Sequence, residues 1–150
     1  MEIREIRENK TEFMDLLLIG DEEETMINRY LDRSTLFVVY DSGKPVSLCA
    51  VIKIDSDTIE IKNLATFPEY QNKGYATKLL SFVFDKYKKA YNTVILGTGE
   101  NEKTLNFYKK RGFIQTRRVK NFFTDNYSHP IFENGKQLVD MIYLKKIIKK

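Results

Sequence analysis

The stretch Asn63-Leu64-Ala65-Thr66-Phe67-Pro68-Glu69-Tyr70-Gln71-Asn72-Lys73-Gly74-Tyr75-Ala76-Thr77 decides the fold, because it passes from a strand pattern through a proline-marked turn into a helix. Ala76, Leu79, Leu80, Val83 and Tyr87 follow the spacing i, i+3, i+4, i+7, i+11, which lines one face of a helix over residues 74–89. The first N–H groups of a helix lack internal partners, and the helix dipole adds partial positive charge beside them. Gly74 has no Cβ and Ala76 only a methyl, so an anion can approach this backbone closely, and Lys73 adds a formal charge. The junction is suited to a phosphate or pyrophosphate. The same residues also serve an ordinary loop-to-helix junction in which glycine and alanine merely pack. Other phosphate-binding patterns fit badly. Gly43-Lys44 runs into Pro45, which breaks a P-loop, and Gly97-Thr98-Gly99 is followed by Glu100-Asn101-Glu102, without the third glycine of a dinucleotide-binding fold.

Working outward, residues 2–7 read as a first strand carrying Ile3 and Ile6. Residues 11–19 place Phe13, Leu16 and Leu17 on one helical face, with Gly20 as a stop. Asp21 followed by Glu24 resembles a capping arrangement for a second helix carrying Ile27, Tyr30 and Leu31. Residues 35–40 and 45–54 form a hairpin around Asp41-Ser42-Gly43-Lys44, and 58–66 is a further strand. Residues 93–96 form a short buried strand closing in Gly97-Thr98-Gly99. A helix over 102–110 follows, with Asn101 as its N-cap and Gly112 just past its end. Residues 113–122 and 137–145 read as the last two strands, and the intervening segment is long for a hairpin, as functional loops tend to be. The pattern predicts a single α/β (α+β) domain over residues 1–150, with a mixed, mostly antiparallel sheet of about seven strands and helices on both faces.

Composition narrows the function classes. The chain is 42% hydrophobic and 31% charged, which excludes a disordered segment. Its apolar runs are too short to span a bilayer, and its first residues lack the features of a signal peptide, so a cytoplasmic protein without membrane contact is expected. The net charge of +4 resides in Lys145, Lys146, Lys149 and Lys150, leaving a neutral body with no continuous basic face for nucleic acid. Cys49 is the lone cysteine and His129 the lone histidine, so neither an internal disulfide nor a His-based metal cluster is expected. Nothing near His129 resembles a nucleophile elbow.

The run Gln71-Asn72-Lys73-Gly74-Tyr75-Ala76 resembles the (Gln/Arg)-x-x-Gly-x-(Gly/Ala) signature of the GNAT superfamily of N-acetyltransferases. A second stretch, from Asn101 through Phe107-Tyr108 to Gly112-Phe113, is similar to that family's later motif, and the order of elements matches across nearly the whole chain. The resemblance implies acetyl-CoA as co-substrate, no metal, and a splay between two parallel strands, here 58–66 and 93–96, into which the acetyl-carrying arm enters. On it, the backbone of Gln71, Asn72, Lys73, Gly74, Tyr75, Ala76 and Thr77 would hold the pyrophosphate. The edge formed by Leu64, Ala65 and Thr66 would pair with the pantetheine amides, and the Thr66 N–H would polarise the thioester carbonyl.

Tyr108 matches the family tyrosine placed near the thioester sulfur, where a phenol can protonate the leaving thiolate; the alternative is a core aromatic. Asn101 would cap its helix and touch the CoA arm. No general base stands out. Glu60 lies on the relevant strand but is expected to point outward, Asn63 occupies a position where a carboxylate could serve, and Asp140 interrupts the apolar face of the last strand. The expected activity is acetyl transfer to a primary amine by direct attack in a ternary complex, the partner being a small-molecule or protein amine, with a homodimer left open. A catalytically silent CoA-binding or protein-interaction module is the alternative. Tyr127 and His129, in the polar loop 121–136, are the expected acceptor-binding residues.

Overall fold

Alternation along the central strands divides the apolar residues between two cores. A computed structural model describes residues 1–149. Its main sheet takes strands β1 (Glu2–Ile6), β2 (Thr35–Asp41), β3 (Lys44–Lys53), β4 (Thr58–Thr66), β5 (Thr93–Gly99) and β6 (Ile114–Val119). After a two-stranded ribbon of β7 (Phe132–Glu133) and β8 (Lys136–Gln137), β9 (Met141–Ile147) inserts between β5 and β6. The order is β1-β2-β3-β4-β5-β9-β6, and β4–β5 is its parallel pair. Phe37, Val39, Cys49 and Val51 point to the face covered by α3 (Tyr75–Tyr87), while Leu36, Val38, Leu48 and Ala50 meet α1 (Met14–Gly20) and α2 (Glu24–Ile27). Each fully buried aliphatic side chain contributes roughly 1.5–3 kcal/mol. Among the described residues no helix is long and apolar enough to cross a membrane.

The sheet is interrupted where β4 meets both neighbours. Against β3 the register steps from Ala50↔Asn63 to Val51↔Ile61, leaving Lys62 as an extra residue. This bulge inverts the alternation: Ile59 and Ile61 pack toward α3, and so does Leu64, while Ala65 packs toward α1. A bulge bends its strand and increases local twist. Pairing with β5 accordingly ends at Ile61↔Leu96, although both strands continue.

Several expectations shift. β5 runs on to Gly99, because glycine leaves room for Met141 and Tyr143 over Gly97 and for Leu138 over Gly99. The strand expected over 113–122 stops at Val119. Phe122–Asn126 is instead the short helix α5, which sends Phe123 into a small third core with Ile131 and Leu138. The last strand begins at Met141 rather than 137. Asp140 therefore lies ahead of its apolar face, accepting the Asn121 N–H at 2.8 Å and pairing with Arg118 at 2.8 Å. The helix expected to carry Tyr30 and Leu31 ends at Ile27; its N-cap is Glu23, and Asp21 makes no cap.

Asn63 fastens α1 to the bulged strand. Its Nδ2 donates to the Leu17 carbonyl at 2.9 Å and to the Tyr30 hydroxyl at 3.1 Å. Gly20 lies against the same side chain so closely that an added Cβ would overlap Asn63 Oδ1. Gly20→Ala is expected to destabilise the fold by about 1–3 kcal/mol, since a packed interior accommodates an extra methyl only by strain. Urea unfolding monitored by circular dichroism checks this; an unchanged midpoint would show that the contact yields freely.

Candidate active site

On the α3 face, the unpaired part of β4 opens onto a cleft of about 720 Å³. Leu64 and Thr66 form one wall, and Gln71, Asn72, Gly74, Tyr75, Ala76 and Thr77 another. The Phe67 N–H bonds the Val46 carbonyl at 3.0 Å on the β3 side, so alternation turns the Thr66 and Leu64 N–H groups to the open edge. Gly74 stands at φ +87°, just before α3, and an added Cβ there would meet nothing within 4 Å. Among the described residues the backbone N–H groups of 72–77 find no backbone acceptor outside the helix, the first being Lys78 to the Gly74 carbonyl at 3.1 Å. Open space over exposed N–H groups is a cradle for an anion.

Three of the expected donor-side residues direct their side chains to other partners, which leaves the backbone of Ala65 and Lys73 where it was expected. The Ala65 side chain is buried against α1, and the Lys73 ammonium lies 5.5 Å over the Tyr70 ring. Asn101 caps α4 (Glu102–Lys109) by accepting from the Lys103 and Thr104 N–H groups. Gln71 contributes structurally, with its side chain donating to the Thr66 carbonyl at 3.0 Å and its own N–H used by the turn. Sequence reading passed over Arg111, which joins the cleft wall with its guanidinium 3.7 Å over the Phe107 ring and bonded to Thr77 Oγ1 at 2.7 Å.

Tyr108 sits where this cleft enters the gap between β4 and β5. The two spaces share Leu64, Thr104, Tyr108 and Glu133 as lining. Its ring packs edge-on against Phe113 at 5.5 Å, and burial pushes its hydroxyl pKa up, which keeps the phenol protonated at neutral pH. Both the core-aromatic and the site reading thus describe the same side chain. Glu133 is held by the Thr104 hydroxyl at 2.8 Å, and its carbonyl accepts from Asn101 at 3.2 Å.

The gap continues, past Ile61, Lys62 and Gly97, into a cavity of about 200 Å³ on the other side of the sheet. Glu60, expected to face outward, is buried and lines this cavity, paired with Lys62 at 3.2 Å. Alternation with Ile59 and Ile61 places both on the α1–α2 side. Asp21 also lines it, receiving the Tyr127 hydroxyl at 2.6 Å, and burial raises its pKa. Tyr127 is thereby brought to the cavity. His129 is not: beyond Tyr127 the chain turns outward, and His129 lies 3.1 Å from Glu23 on the outer side. Among the described residues no group of three or more His, Cys, Asp or Glu is placed to hold a metal.

The profile of the Acetyltransferase (GNAT) family matches residues 3–113. The chain belongs to the GNAT family. It is 32% identical over 139 residues to the N-acetyltransferase YvbK of Bacillus subtilis, covering 91% of this chain and 90% of that protein. A GNAT family acetyltransferase from Elizabethkingia anophelis with acetyl-CoA bound superposes with a TM-score of 0.91 at 34% identity, covering 97% of each chain. A Bacillus subtilis acetyltransferase in complex with CoA gives 0.87 at 30% identity, again over 97% of each chain.

For this GNAT protein the residues around the cleft fit a CoA-type ligand. The open β4 edge offers N–H and C=O groups to an extended amide chain, the 72–77 backbone offers donors to phosphate, and Arg111 adds charge. Gly74→Val would both strain the left-handed backbone and fill the cradle. Losing one or two charge-assisted hydrogen bonds corresponds to roughly a 10–100-fold weaker CoA dissociation constant. Calorimetric titration with CoA checks it; unchanged affinity in a folded variant would show that the phosphates lie elsewhere.

Proposed function

We propose that this protein transfers the acetyl group of acetyl-CoA to a primary amine by direct attack in a ternary complex. The observation that supports this most is the parting of β4 and β5 after Ile61 and Leu96, which links a donor cleft on one face to an acceptor cavity on the other. Two reactants entering from opposite faces meet at one gap, and positioning of this kind supplies a large part of the rate. The Thr66 N–H, on the open edge, polarises the carbonyl that is attacked. The nitrogen attacks as the neutral amine; as it adds and the C–S bond breaks, Tyr108 donates its proton to the leaving sulfur, the proton released from the nitrogen passes to solvent, and solvent returns one to the Tyr108 phenolate.

The lone thiol is not placed to form a covalent acetyl-enzyme. Cys49 is fully buried within β3, and burial pushes its thiol pKa up to about 12. The acceptor side suits an amine: Asp21 and the buried Glu60 supply negative charge to its cavity.

Thiol release from acetyl-CoA over a panel of primary amines tests the activity, and CoA binding without release on any amine would favour the silent module. Tyr108→Phe conserves the packing against Phe113 and is expected to lower kcat about 10–100-fold while leaving CoA affinity near the parent's. Full single-turnover rate in that variant would remove the acid role. On an accepted amine, Tyr127→Ala is expected to raise acceptor KM at least several-fold, whereas His129→Ala leaves it close to the parent value. The reverse ranking would place the acceptor on the outer face of the loop.

A further inference from the structure

The acceptor cavity has a charge pattern that an amine alone does not satisfy. Its inner end, at Ile61 and Gly97, opens to the gap; Asp21 and Glu60 stand on its wall, and both are held by neighbours, Tyr127 and Lys62 respectively. Its outer end carries Arg29 and Arg33, one helical turn apart in sequence and both exposed. Among the described residues neither guanidinium meets a carboxylate. Arg29 donates to the Asn126 side-chain oxygen at 3.2 Å and Arg33 only to the Arg29 backbone carbonyl at 3.5 Å. Arg118 is instead paired with Glu100 at 2.6 Å and Asp140 at 2.8 Å, and Arg4 with Glu2 at 2.8 Å, while Arg111 and Arg117 are stacked over Phe107 and Tyr143. Two guanidiniums on adjacent turns repel, and each carries a fork of donors shaped for a planar or tetrahedral oxyanion.

Resting on the proposed amine acetylation, we infer that the acceptor is a small amine that also bears an anionic group, a carboxylate or a phosphate, seated between Arg29 and Arg33. The amine then lies at the inner end, beside the gap and within the field of Asp21 and Glu60. The anion lies at the mouth, where Arg29 and Arg33 draw it in. This polarity orients the acceptor with its nitrogen toward the thioester. It also disfavours di- and polyamines, whose second ammonium would face Arg29, Arg33 and Lys62.

The test is acetylation kinetics on matched primary amines over aliphatic, aromatic and sugar backbones, each as the carboxylate, the phosphate, the neutral amide and the diamine. Anionic members are expected to exceed their neutral isosteres by about tenfold or more in kcat/KM, the worth of one or two charge-assisted hydrogen bonds. In Arg29→Gln/Arg33→Gln that preference should collapse while kcat/KM for neutral amines and CoA affinity stay near the parent's. The carboxylate and phosphate arms separate the two sources of charge. Neutral or cationic amines performing equally well, or a preference that survives the double substitution, would overturn the inference. If no amine releases thiol, the activity itself has failed, and the inference is then read by binding. The CoA-loaded protein is titrated with 4-aminobutanoate and 4-aminobutanamide while the arginine side-chain NMR signals are followed. Arg29 and Arg33 signals moving with the carboxylate alone support the anion seat, and equal or absent shifts refute it.

Discussion

The site depends on one extra residue in one strand. Lys62 has no partner in β3, and from that point β4 changes the face to which each side chain points and leaves β5. Without the bulge, regular alternation would place Leu64 on the same face as Glu60, and continued pairing with β5 would consume the edge N–H groups that now face a cleft. The bulge survives because its surroundings hold it. Asn63 is tied to α1 and to Tyr30, Gly20 lets α1 approach closely, and Gly97 on β5 carries no side chain into the opening. The gap is thus a product of packing on both faces of the sheet rather than a fault in it.

The two sides of the gap differ in the groups that line them. On the α3 side the lining groups are the open β4 edge and the start of α3, backed by Arg111. Backbone donors fix the reach and direction of an extended chain with little dependence on side-chain identity. On the α1–α2 side they are side chains from separate segments: Asp21 after α1, Arg29 and Arg33 after α2, Glu60 on β4 and Tyr127 after α5. A cavity assembled from loops can change its lining by substitution without disturbing the cleft on the other face.

This division also explains what the sequence disclosed. The donor side is built from one local segment, so Gln71 through Thr77 and the Asn101–Tyr108 stretch are legible as motifs, and the sheet with helices on both faces follows from alternation. The α1–α2 side is built from contacts distant in sequence, such as Tyr127 with Asp21 and Ser128 with Glu23, and has no local signature. Glu60 stands opposite Ile59 and Ile61 by plain alternation; what a strand pattern does not disclose is that residues around α2 and Tyr127 cover that second face, nor that a bulge follows at Lys62. A signal was present: Ile59 and Ile61 are followed by Leu64, a slip in the period of two at Lys62-Asn63. Arg111 carries no motif of its own, and its stacking on Phe107 toward the cleft is a matter of rotamer, which spacing does not specify.

The segment after β6 binds the two sides together. Its first part, α5 and Tyr127, closes the acceptor cavity by bonding Asp21. Its second part, the β7–β8 ribbon, reaches the donor cleft, where Asn101 receives the Asn134 amide at 3.3 Å, donates to the Glu133 carbonyl and also caps α4. Between them the small core of Phe123, Ile131 and Leu138 fixes the spacing. A shift of this core would therefore move Tyr127 and Glu133 together, one at each end of the gap. The loop's length follows from that geometry. A tight hairpin between β6 and β9 could reach neither wall, and the residues that make it long are those that place one polar group in the acceptor cavity and another beside Tyr108.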